Sequence, residues 1–583
     1  MFKSISTKVI FSVVASAFML AACDRSKDET SDLSLLSSKD TVLQYVPADT
    51  PYVVANVEPL PDDLMDKLEP KIDRLMRSYQ SMLSAVLASK QQELPEAERN
   101  SEKYQRANAV VDELMTLMSI EGMRSAGLGR DATGVLYGNG LLPVVRVQLS
   151  DGALFEDALS RLESEAGEKL PVAEIGGNSI RYFDADQVKI LLGVINDQAV
   201  FTVAPASFDD AQLGEVLGLK LPAKSIADSG ALQKIAKDYG FTNHYVGYFD
   251  FQAIADRFVG EASGLDAELL ALIDYDPAEL SSVCRAEIRA VAGIAPRMVL
   301  GYTDIDKDKL DSTVVIELRD DIAAGVQTLP AAVPGLGGDK GALMSFGMSI
   351  DMKAAREFLE ARLDAMEAKP FECEYFADLQ AGVAGGRQAL NQPVPPMVYD
   401  FKGFLAVIDE IEGLDVATQT PPTSIDGSFL LAMNNAEALI AMGAMFSPEL
   451  ASLNLQADGN PVPLELPQMQ AMGIAAFAAM NENALAISVG EDSESELDGL
   501  LGAAASDPSP FMSFSMDAAR YYGFLGEAMA ADGDDKENAP TAEMQAAMQE
   551  VMAAVANVYD RMSVDVRFTE RGVELISSVT LQD

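Results

Sequence analysis

Met344-Ser345-Phe346-Gly347-Met348-Ser349-Ile350-Asp351 and Met512-Ser513-Phe514-Ser515-Met516-Asp517 are two wordings of one pattern. Large apolar side chains stand at every second position, small ones lie between them, and an aspartate closes the run. Period-two alternation of the apolar residues marks a strand with one face buried, and an acid directly after it is placed to accept the first orphan N–H groups of a helix. The pattern occurs twice more, as Val53, Ala55 and Val57 before Glu58 and as Tyr245, Gly247 and Phe249 before Asp250. Eight residues beyond the last three acids lie Phe258, Leu359 and Leu525, which predicts a helix folding its apolar face back onto the sheet. Ala354-Ala355-Arg356 recurs as Ala518-Ala519-Arg520 in the same register.

Working outward, each copy leads through helical sequence to two alternating runs that predict a hairpin. These are 134–137 with 141–149, 298–303 with 313–318, 403–408 with 428–433, and 563–569 with 573–581. Ser150-Asp151, Asp320-Asp321 and Asn434-Asn435 come next as helix starts. The first and third copies add a further hairpin at Asn196-Asp197 and Asn481-Glu482. The expected fold is therefore α+β, with mostly antiparallel sheets, covering helices, and four related strand-helix-hairpin units in two tandem halves. The expected boundaries are 41–226 and 227–335 for the first long and short units, 340–503 and 504–583 for the second pair. Pro334-Gly335-Leu336-Gly337-Gly338 breaks regular structure at the join. Within the first unit, 67–91 and 96–119 read as two long inserted helices, a candidate partner-binding arm or a pair packed on their own sheet.

The chain opens with Lys3 and Lys8, an uncharged apolar run from 9 to 19, and Leu20-Ala21-Ala22-Cys23. The run is too short to span a bilayer and has the layout of an export signal. Its end resembles the lipobox of bacterial lipoproteins, which implies a signal peptide over 1–22, lipidation of Cys23, and a mature chain facing the periplasm of a bacterial envelope. A Ser- and charge-rich tether is expected over 23–40. Val46-Pro47-Ala48-Asp49-Thr50-Pro51, together with the hairpin pattern, resembles an uncharacterised bacterial envelope family, a domain of unknown function, and implies no activity.

The 583 residues carry 43 Lys+Arg against 90 Asp+Glu, a net charge of −47, and loss of Lys3 and Lys8 would leave about −49. Clustered cations that neutralise phosphates are absent, so nucleic acid is not an expected partner. Anionic lipid would repel the body, so attachment falls to the acyl chains. With Cys23 lipidated, Cys284 and Cys373 remain as an even pair in an oxidising compartment. Each begins the helical stretch before a hairpin, so a disulfide between them is expected.

Catalytic signatures are few. His244, the sole histidine, precedes a strand and has no Gly-x-Ser-x-Gly partner, so it reads as a strand-edge residue. Gly127-Leu128-Gly129 and the run from Gly335 to Gly341 lack phosphate-loop spacing and read as linkers. Asp304-Ile305-Asp306-Lys307-Asp308 has calcium-loop spacing, but Lys309 and Val315 stand where Gly and Glu are needed, which favours a hairpin turn. The acidic run from Ala531 to Glu537 could hold a cation or simply join helices. Met544, Met548 and Met552 could ligate copper but continue a core stripe with Val555 and Tyr559. No catalytic residue, metal site or cofactor is expected. The leading reading is a lipid-anchored, non-enzymatic protein that binds an unknown protein or small-molecule partner in a cleft between the halves. A carboxylate-dependent hydrolase and a solute or metal carrier are the alternatives.

Overall fold

The computed structural model describes residues 33–583 except 262, 414–421, 439, 442–454, 466–472 and 531–540, with 92, 93, 103 and 526–530 described by backbone alone. The fold is α+β, and its strands pair antiparallel. The chain divides into two compact units, one of residues up to Ser312 with Thr541–Ala554 and Asp583, the other of Thr313–Pro540 with Val555–Gln582. The division falls earlier than the expected join at 335–340. The Asp320–Val326 helix belongs to the second unit, because Gly325 leaves room there for the Phe358 ring.

The first unit contains β1 (Tyr52–Asn56), β2 (Gly134–Asn139), β3 (Leu142–Gln148), β4 (Val172–Ile175), β5 (Asn178–Ala185), β6 (Val188–Ile195), β7 (Gln198–Pro205), β8 (Val246–Asp250) and β9 (Arg297–Asp306). Their spatial order is β4-β5-β6-β7-β3-β2-β1-β8-β9. β9 turns at Lys307-Asp308 into β10 (Lys309–Glu317), so the calcium-like run is a hairpin turn, as its sequence favours. The inserted helices are Asp62–Glu93 and Glu102–Leu117, joined by a short turn of helix. The core face of the sheet carries Val53, Ala55, Val135, Tyr137, Val144, Val200, Val246 and Val299, all almost fully buried.

The second unit contains β11 (Met344–Ser349), β12 (Phe401–Glu412), β13 (Ser424–Met433), β14 (Val462–Pro463), β15 (Ala476–Met480), β16 (Ala484–Val489), β17 (Met512–Asp517), β18 (Tyr559–Thr569) and β19 (Gly572–Leu581). Their order is β14-β15-β16-β13-β12-β11-β17-β18-β19. Its core joins Leu405, Leu430, Ala432, Ala484 and Ala486 to Leu497 and Leu501 of the Glu496–Gly502 helix, and to Val333 and Leu336.

Three of the four strand-closing acids are helix caps. Asp250 accepts from Ala253 N at 2.7 Å, Asp351 from Lys353 N and Ala354 N at 2.9 Å, and Asp517 from Arg520 N at 2.9 Å. Glu58 is not one. Pro59 and Pro61 disfavour helical backbone in the residues before them, so the helix starts only at Asp62, with Pro61 as its cap. The Glu58 carboxylate instead accepts from Asn243 Nδ2 at 2.9 Å. Leu359 also departs from expectation: it is 51% exposed, and its helix has no fully buried residue.

The expected tether over 23–40 ends at least eight residues sooner. Leu33–Ser37 and Val42–Tyr45 are 3-10 turns, and Leu36, Val42, Leu43 and Val46 are almost wholly buried. Spaced leucines in a Ser-rich run can bury apolar area like any core residue, and composition hides that. The glycine-rich run after Val333 is likewise no free linker: it crosses the buried face of the second sheet, where Leu336 is 1% exposed.

Candidate functional site

In the second sheet the usual polarity is reversed. The small face of β11 and β17 is the buried one: Ser345, Ser349, Ser513 and Ser515 are at most 3% exposed. Their hydroxyls find partners inside, Ser345 with Ser515 at 2.7 Å, Ser349 with the Pro510 carbonyl at 2.7 Å, and Ser513 with Asp565 Oδ1 at 2.7 Å. The glycine-rich run closes this layer by donating Gly338 N to Asp565 and Lys340 N to Ser515. Burial holds the half-buried Lys340 amine below the ordinary lysine range.

The opposite face carries the large side chains and remains partly open. Reading across the ladders, Phe429, Ala406, Phe346, Phe514 and Val564 form one row, and Leu431, Phe404, Met348, Met512 and Val566 the next. Phe346 and Phe429 are 37% exposed and Met512 36%. The rings touch, with centroids 5.7 Å apart for Phe346 and Phe404 and 6.0 Å for Phe404 and Phe429. The face is a contiguous, partly exposed surface of aromatic and thioether side chains, and methionine is the most adaptable of these in shape.

At the end of β12 and β13, by the helix Glu496–Gly502 that packs on the core side of the sheet, three carboxylates converge. β12 bulges at Asp409, so that Ile408 opposes Gly427 while Glu410 opposes Asp426. Burial, and then the neighbouring Asp426, push Asp409 up; burial, Asp409 and Asp426 do the same to Glu496. Asp426 Oδ1 is buried without a hydrogen-bond partner, as is Ser488 Oγ in the adjacent strand β16. Sequence reading did not single out these residues: Asp409 and Asp426 lie just outside the expected hairpin strands 403–408 and 428–433, and Glu496 comes from a later helix; the break in alternation between Ile408 and Ile411 is the signal that could have found the bulge. Among the described residues, no group of three or more His, Cys, Asp and Glu is arranged to hold a metal ion.

The phrase around Asp49 is a structural staple. Thr50 Oγ1 bonds the Tyr52 and Gly138 carbonyls at 2.8 Å, and Tyr248 donates to the Thr50 carbonyl at 3.0 Å. Burial pushes the Tyr248 phenol up to about 12. Arg257 joins Asp49 to the buried Asp266. Nearby, Arg146 lies fully buried on the core face and makes no ion pair among the described residues. It donates to Gln198 Oε1 at 2.8 Å and to the Leu217 carbonyl, and stacks 3.9 Å from the Tyr45 ring centre.

Cys284 and Cys373 are both buried and both disulfide-bonded, and Cys23 and the signal segment lie outside the described residues, as does the acidic run 531–537. His244 stands just before β8 with Nδ1 3.1 Å from the Glu58 carbonyl, a strand-edge position. In the Ala542–Val558 helix the buried stripe is Ala547, Val551, Ala554 and Val558, with Met544, Met548 and Met552 half-buried at its side. No described helix is long and apolar enough to cross a membrane. Comparison with family models, curated proteins and solved structures yields no match.

Proposed function

We propose that this chain is a lipid-anchored protein of the bacterial cell envelope, held through Cys23, that works by binding an apolar ligand or partner segment rather than by catalysis. The observation that supports binding is the half-open Phe346–Phe404–Phe429 face with Met348 and Met512 beside it. A test uses a neutral naphthylamine probe whose emission rises in apolar surroundings. Phe346→Asp combined with Phe429→Asp should abolish the enhancement, and an unchanged signal would remove the binding reading. The anchor is tested separately: Cys23→Ala should leave uncleaved, unacylated precursor.

The same proposal includes four related units in two tandem halves. Laying Asp250 over Asp517 brings Phe249 onto Met516 and, across the ladders, Tyr52 onto Met344, Tyr137 onto Val407, Val144 onto Ser428 and Thr202 onto Ser488. The bridges Pro47–Ser225 and Pro334–Ala505 fall at matching places. In that register Glu58 meets Ile350, one place short of Asp351, in keeping with its failure to cap. A carboxylate-dependent hydrolase is the second reading, favoured by the convergence of Asp409, Asp426 and Glu496. It requires that Asp409→Asn abolish turnover on some ester or glycoside while leaving probe binding intact.

A further inference from the structure

The first described residue bounds how far the body can stand from its anchor. Nine residues, 24–32, separate Cys23 from Leu33. Fully extended, they and the two flanking bonds span at most about 35 Å. The chain then docks at once, with the Leu33 carbonyl accepting from Gln233 Nε2 at 3.2 Å and Lys39 Nζ lying 2.5 Å from Asp228 Oδ1. The point of emergence is therefore the surface made by the helices Ile226–Ser229 and Ala231–Tyr239.

That surface differs in charge from the rest of the chain. Residues 218–239 hold Lys220, Lys224, Lys234 and Lys237 against two acids, Asp228 and Asp238, in a chain with 90 acids and 43 basic residues. All four lysines are exposed, with Leu221 50% exposed between the first two. The second helix turns Leu232, Ile235 and Ala236 inward, which leaves Lys234 and Lys237 outside. Lys39 adds a fifth cation where the chain arrives and Asp40 a third acid; Lys39 pairs with Asp228 and Lys234 with Asp238, which leaves Lys220, Lys224 and Lys237 to carry a positive balance.

We infer that the surface of residues 220–239 faces the membrane that holds the anchor, with its lysines against anionic lipid headgroups. The inference rests on the proposed lipidation of Cys23. The acidic body as a whole is repelled by such a surface, so the acyl chains supply the attachment. Screening at physiological salt confines electrostatics to about 8 Å, so only charges on the nearest face act once the body is held close. Here those charges are locally positive, which selects one orientation out of the many a short tether allows.

The test installs the tether chemically, so that failure of cellular lipidation does not confuse the result. Chain beginning at Cys23 is coupled through that thiol to a maleimide lipid in phosphatidylcholine vesicles, with or without phosphatidylglycerol, and read by hydrogen exchange. The expected result is slowed exchange of amides within 220–239 on phosphatidylglycerol vesicles, lost in high salt. It should be lost as well in the variant Lys220→Gln, Lys224→Gln, Lys234→Gln, Lys237→Gln, whose β2 and β3 amides report an intact fold. Protection elsewhere, equal protection on neutral vesicles, or none overturns the inference. Retained membrane association of Cys23→Ala in cells would instead overturn the lipidation reading alone.

Discussion

Gly218→Ala tests how tightly the N-terminal segment is locked to the first sheet. Gly218 has φ +68°, and a methyl group there would come 2.3 Å from Arg146 Nη2, 3.1 Å from Cζ and 3.2 Å from Tyr45 Cδ1. Left-handed backbone costs an alanine about 1 kcal/mol. The guanidinium cannot swing aside, because it is fully buried and held by Gln198, Leu217 and Tyr45. Overpacking of this kind adds about 1–3 kcal/mol, for a total of about 2–4 kcal/mol. Gly240→Ala is the control: φ is +74° and nothing lies within 4 Å of the new methyl, so only the backbone cost of about 1 kcal/mol applies. Native-state hydrogen exchange at the slowest amides of β2 and β3 measures both, and suits a chain of two units better than one global melt. Equal losses in the two variants would show that Arg146 and Tyr45 yield freely, and would refute the lock.

The caps, the carboxylate cluster and the cysteines give further outcomes. Asp351→Ala should cost about 0.5–2 kcal/mol, seen as faster exchange in the first turn of Met352–Ala368, whereas Glu58→Ala should leave the Asp62–Glu93 helix start untouched. Asp409 and Glu496 have raised folded pKa values, so the native state binds protons more tightly than the unfolded one and stability falls as pH rises through that window. Asp426→Asn should therefore stabilise the second unit at pH 7 and lose its advantage near pH 4; a lower urea midpoint at pH 7 would contradict this. Denatured, unreduced protein should show no reactive thiol at Cys284 or Cys373, and Cys284→Ser should expose one. If they bond each other, the closed loop of about 90 residues contributes on the order of 4 kcal/mol.

Strands and caps were legible because both are local. Alternation at 344–350 and 512–516 and the hairpins around Gly138 and Glu570 depend on neighbours in sequence, and all appear as strands. What escaped is non-local. The burial of Leu36 depends on helices some two hundred residues later, and the meeting of Asp409, Asp426 and Glu496 on a bulge and a helix start. Glu58 departs from the pattern for a local reason, the prolines at 59 and 61, whose restriction of the backbone outweighs the repeat. The alternation at Phe346 and Phe514 was legible, but which face pointed inward was not. Large apolar residues ordinarily face the core, and here buried serines paired to one another and to Asp565 take that place.

The docked N-terminal segment also sets a constraint on the order in which the molecule can form. Leu36, Leu43 and Tyr45 leave a ribosome or a translocation pore well before Leu217, Gly218 and Gln233, against which the segment closes. Until that later stretch arrives, a run of apolar side chains stays wet and Arg146 lacks the Leu217 carbonyl that it donates to. Contacts so far apart in sequence form slowly. Over that interval the unfinished unit presents an adhesive edge to its neighbours, and its yield depends on how crowded the compartment is with copies of itself.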